Sequence, residues 1–83
     1  MNRDEAVDLL KELLDKYRSL EGKSFAIMPP DANNVRSKGY QVHIKTELDE
    51  NTILQLRRYA LDCGLALTEE KKNLTIIYKP MKS

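Results

Sequence analysis

Apolar residues recur at three- and four-residue spacing through the first twenty positions: Ala6, Leu9, Leu10, Leu13, Leu14, Tyr17 and Leu20. That spacing lays one apolar stripe along a helix, and it predicts a helix over residues 3–20. Asn2 followed by Glu5 has the spacing of a capping box, with Asn in the hydroxyl role. Asp4 and Glu5 suit the positive end of the helix dipole, and Gly22 supplies a stop.

The period then falls from three or four to two. Phe25 and Ile27 alternate with Ala26 and Met28 until Pro29 and Pro30 end the run, which predicts a short strand at a sheet edge. "PPDANNVRSKG" is a polar connection too long for an ordinary hairpin loop of about 2 to 5 residues. A strand over Gly39–Thr46 follows, with Tyr40, Val42 and Ile44 on one side and Gln41, His43 and Lys45 on the other.

Helical spacing returns from about Glu50 to Cys63, with Asp49 as N-cap and Gly64 just past the end. Ile53, Leu56, Ala60 and Cys63 form its expected inner stripe, flanked by Leu54, Tyr59 and Leu61. The rest reads as a β-hairpin with its turn in "EEKKN". Leu65 and Leu67 alternate with Ala66 and Thr68 in the first strand. In the second, Leu74, Ile76 and Tyr78 are expected inward, as the more apolar set, leaving Thr75, Ile77 and Lys79 outward. Pro80 closes the strand, and residues 79–83 read as a loose tail.

The element order αββαββ over residues 1–83 is that of a single α+β domain. Two amphipathic helices need one apolar sheet face, so the expected architecture is a two-layer sandwich with a four-stranded antiparallel sheet. Placing the two most apolar strands centrally gives the sheet order 3-4-2-1 in chain numbering, a circularly permuted ferredoxin-like arrangement with a right-handed crossover.

This parity defines the expected outer face: Gln41, His43, Lys45, Thr75, Ile77 and Lys79 at the centre, with Ala26, Met28, Ala66 and Thr68 at the margins. The face is too polar for a core and too apolar at Ile77 and Met28 for a purely solvated surface. These central residues are the candidate interaction site. Arg36 and Lys38, in the long connection, are a second candidate for contacting an anion or peptide. With Tyr40 and Tyr78 both expected inward, the face lacks aromatics to stack nucleic-acid bases.

Composition narrows the function classes. A chain of 83 residues has a thin stability margin. Its one cysteine, Cys63, and one histidine, His43, supply neither an internal disulfide nor a four-ligand zinc site, which leaves oligomerisation as the available reinforcement. The net charge of +1 removes the strongly basic signature of a nucleic-acid domain. No run of eighteen apolar residues is present to span a membrane. The charged N-terminus and unpaired cysteine point to the cytoplasm.

No phosphate-binding glycine motif occurs, and no nucleophile has a base beside it in sequence. Cys63, on the inner stripe, reads as a small core residue. His43 reads as an isolated, exposed side chain. The expectation is a small non-enzymatic protein without cofactors that binds a protein partner or itself. The alternative is a DNA- or RNA-binding accessory domain using Arg36, Lys38, Lys45, Lys79 and the hairpin lysines. A subunit of a larger enzyme is a weaker third reading.

Overall fold

The computed structural model describes residues 1–30 and 39–80. Helix α1 spans Arg3–Lys16 and α2 Glu50–Asp62, and the strands are β1 (Phe25–Met28), β2 (Gln41–Ile44), β3 (Ala66–Lys71) and β4 (Leu74–Tyr78). Every strand pair is antiparallel and the sheet order is β1-β2-β4-β3, the order expected from the apolar content of the strands. Ala6, Leu9 and Leu13 of α1 share one buried cluster with Leu56, Tyr59 and Ala60 of α2 and with Val42, Ile44, Leu67 and Ile77 of the sheet. Both helices therefore cover the same sheet face, and no helix or strand among the described residues covers the outer face.

The α1 start follows the sequence closely. Glu5 N–H donates to Asn2 Oδ1 at 2.8 Å. In return Asn2 N–H donates to Glu5 Oε1 at 2.9 Å, which completes the capping box. The end of the helix departs from the reading. It stops at Lys16, Tyr17 adopts extended backbone (φ −120°, ψ 101°), and a 3-10 turn covers Arg18–Leu20. The break lets Leu20 enter the core with no exposed surface. It also sets Tyr17 edge-on to Tyr59 of α2, with ring centroids 6.1 Å apart, a geometry that aromatic pairs favour. Lys16 Nζ lies 4.8 Å from the Tyr59 ring centre, a cation–π contact that covers the junction.

At α2, Asp49 occupies the N-cap position and its carbonyl accepts Ile53 N–H at 3.0 Å. Its carboxylate accepts the Thr52 hydroxyl, 2.5 Å away. That hydrogen bond is the main reason the Asp49 pKa lies below the usual carboxylate value. The predicted inner stripe needs one correction: Cys63 is exposed, and Tyr59 occupies the core in its place. Cys63 is the C-cap, where the helix has already turned away from the sheet.

Gly39 has φ +78°, and a Cβ there would collide with the carbonyl oxygen of Met1. Glycine alone meets both demands, since it tolerates positive φ and carries no Cβ. The next residue uses that approach: Tyr40 N–H donates to Met1 O at 2.8 Å, tying the start of α1 to the start of β2. Beyond the other end of β2, Lys45 N–H donates to Ser24 O at 2.8 Å and Ser24 N–H to Thr46 Oγ1 at 3.1 Å, carrying the β1 pairing past the strand ends.

The largest departure from the sequence reading is the parity of β4. Ile77 has no exposed surface and Thr75 is 3% exposed, so both face the helices. Leu74, Ile76 and Tyr78, expected inward, point outward. Register explains the exchange. Leu67 is inward on β3, and the hairpin pairs it with Ile77, while Val42 of β2 pairs with Ile77 from the other side. The turn uses only Lys72 and Asn73, with an irregularity between Glu69 and Lys71. Because the side-chain period of a strand is two, this register reverses every side chain on β4 relative to apolar content alone.

Candidate functional site

The outer face is built in rows. One runs Ala26, His43, Ile76, Thr68 across all four strands by direct pairing. The neighbouring row joins Met28 to Gln41 and Tyr78 to Ala66, with Gln41 and Tyr78 brought alongside by the adjacent Val42–Ile77 pair. Ile76, Tyr78 and Met28 thus surround a polar centre formed by Gln41 and His43. Met28 is 38% exposed, and Ile76 and Tyr78 are partly exposed.

Gln41 is 8% exposed even though it lies on the outer face, because its neighbours on both sides are large. Its amide would be costly to bury alone. Gln41 Oε1 accepts a hydrogen bond from His43 Nε2 at 2.8 Å. An amide oxygen only accepts, so the ring proton sits on Nε2. Partial burial holds the His43 pKa below its usual value, the positive charge of Lys45 adds to this, and Glu70 opposes it. The imidazole is accordingly a neutral hydrogen-bond donor at neutral pH.

The sequence candidates separate into three groups. Gln41 and His43 are brought together on the outer face, beside Lys45, whose charge reaches the imidazole. Thr75 and Ile77 are core residues, and Lys79 leaves the outer face to place its ammonium 3.8 Å from where a Cβ on Gly64 would stand, beside the α2 C-terminus. Arg36 and Lys38 lie outside the described residues.

The residues that sequence reasoning missed are Leu74, Ile76 and Tyr78. A two-residue turn at Lys72–Asn73 would by itself carry the Lys71–Leu74 pairing on to Leu67–Tyr78 and keep the expected parity. The extra residue between Glu69 and Lys71 shifts Leu67 opposite Ile77 and reverses it, and neither the turn nor the apolar content marks that bulge in the sequence.

Other charges are mostly engaged at the surface. Arg57 donates to Glu69 Oε1 at 3.2 Å between α2 and β3. Both side chains are half exposed, so the pair is worth under about 1 kcal/mol. Lys72 Nζ lies 3.8 Å from Glu47. On the outside of α2, Leu54 and Leu61 are 65% and 69% exposed, one heptad apart.

Among the described residues, no three His, Cys, Asp or Glu side chains gather to hold a metal, and no helix is long and apolar enough to cross a membrane. The chain matches no known protein-family model, no curated protein and no solved structure.

Proposed function

We propose that this is a non-enzymatic interaction domain that self-associates by packing the outer face of its sheet against a second copy. The observation that supports this reading is the orientation of β4, which turns its more apolar set, Leu74, Ile76 and Tyr78, away from the helices while Thr75 sits in the core. An antiparallel sheet commonly leaves one face to water, and such a face is then ordinarily polar. Here Met28, Ile76 and Tyr78 flank Gln41 and His43 with apolar surface, and a chain of this size gains more from an added layer than a larger domain would. Two such sheets packed face to face would stand about 10 Å apart, the spacing of a β-sandwich. Solution mass measured by light scattering over a concentration series tests the proposal. Growth toward a dimer that Ile76→Asp abolishes, with far-ultraviolet circular dichroism unchanged, is the expected result. A monomer at every concentration would end it.

The outward turn of Tyr78 favours a second reading as a single-stranded nucleic-acid platform. Tyr78 and His43 are rings that bases stack on, borne by the two central strands. It is the weaker reading, because Lys79 lies away from this face and the net charge is +1. Fluorescence anisotropy with a short single-stranded RNA tests it. Binding must weaken on Tyr78→Ala and on added salt; no binding at low salt removes it.

A further inference from the structure

A second feature lies on the helix side of the sheet, away from the proposed self-association face. A cleft of about 650 Å³ opens between the N-terminal end of α1, the start of β2, the C-terminal end of α2 and the end of β4. Its volume lies within the range of small-molecule sites, about 300 to 1,000 Å³. Leu9, Leu65, Pro30 and Tyr40 line it with apolar surface, and Cys63 and Lys79 stand among its polar lining.

The charges of this cleft are unequal in availability. Glu5 also lines it, but its carboxylate closes the α1 capping box through Asn2 N–H. No ion pair among the described residues engages Lys79. At the end of α2 the carbonyls of Tyr59, Ala60 and Leu61 already accept from the Cys63, Gly64 and Leu65 N–H groups, so these three do not call on the ammonium. Among the described residues, the cleft is thus an apolar hollow that presents the Lys79 ammonium outside any ion pair.

We propose that this cleft binds a small amphipathic carboxylate, its hydrocarbon body against Leu9 and Leu65 and its carboxylate on the Lys79 ammonium. The match is one of charge and polarity: a strongly hydrated point charge recognises an anion, and the adjoining apolar surface recognises a short chain. Binding here needs nothing from Ile76 or Tyr78, so it stands or falls separately from self-association.

The test is an amide chemical-shift titration of the whole chain with octanoate below its micelle concentration, with octylamine as the probe of opposite charge. The expected result is saturable shifts at Leu9, Tyr40, Cys63, Gly64 and Leu65, with octylamine binding at least tenfold more weakly. Lys79→Gln should weaken octanoate about tenfold, the loss of one charge-assisted contact. Cys63→Trp, which adds bulk to the cleft wall, should weaken it as well. Equal binding of octylamine, unchanged affinity in Lys79→Gln, or shifts centred on Leu54 and Leu61 or on the sheet face would each overturn the proposal. Shifts absent altogether would do the same.

Discussion

Val42 and Ile77 face each other across the two central strands, and neither has any exposed surface. The pair anchors the sheet to both helices and fixes which face every residue of β4 presents. Removing the Ile77 side chain therefore opens a cavity in the middle of the core. Ile77→Ala should cost about 2 to 5 kcal/mol in urea unfolding, and Ile77→Asp should leave the chain unfolded. Ile76→Asp, one residue away on the outer face, should shift the unfolding midpoint little. Equal losses at the two positions would contradict the register.

Gly39 and Gly22 offer a matched comparison, since both have clearly positive φ but only Gly39 has a neighbour in the way. Alanine at Gly22 meets open space and bears the cost of the left-handed backbone alone, about 1 kcal/mol. Alanine at Gly39 adds a collision with the Met1 carbonyl and disturbs the Tyr40–Met1 hydrogen bond. Gly39→Ala should accordingly be the more destabilising of the two by thermal denaturation.

Thr52 is 3% exposed and its hydroxyl serves Asp49, with Ser19 Oγ a further 3.3 Å contact. Thr52→Val should raise the Asp49 pKa toward the usual carboxylate value, read from its carboxyl carbon shift. With the Asp49 pKa depressed in the fold, its contribution is complete above the unfolded value of 3.8 and is lost as pH falls through the lower folded value. The Thr52→Val chain should show a smaller acid-dependent component, because backbone hydrogen bonds and the Lys23 charge still favour the carboxylate.

His43 works in a different pH window and with the opposite charge. Its folded pKa lies below 6.5, so the unfolded chain binds its proton first as pH falls. Stability should therefore be unaffected by His43 well above pH 6.5, decline as pH drops through 6.5, and level off below the folded pKa. His43→Gln should flatten that segment of the urea midpoint against pH. An unchanged profile would show that the imidazole titrates alike in both states.

Tyr59 and Cys63 lie close at the C-terminal end of α2, but they differ in access. Burial, with hydrogen bonds to Glu12 and Cys63, raises the Tyr59 pKa far above its ordinary value, so this tyrosine should remain protonated when the fold is intact at alkaline pH. Cys63 is exposed. It should react with a thiol reagent in the native protein without denaturant, at a rate that urea changes little. A thiol that reacts only on unfolding would restore Cys63 to the core.

Local rules in the sequence determined most of the fold. The Asn2–Glu5 capping box, the strand-ending Pro29–Pro30 and the helical spacing from Ile53 to Ala60 each act over a few residues, so the chain carries them legibly. The strand order followed as well, because the two most apolar strands need neighbours on both sides. Tertiary structure decided what depends on pairing at a distance. Tyr17 leaves the helix because Leu20 finds the core and Tyr59 receives its ring. Ile77, and not Ile76, is buried because Val42 and Leu67 lie opposite it. Both parities of β4 are apolar enough to face a core, so hydrophobicity alone leaves its orientation open. The extra residue in β3 between Glu69 and Lys71 shifts the pairing by one and selects one of them, and with it the residues offered on the outer face.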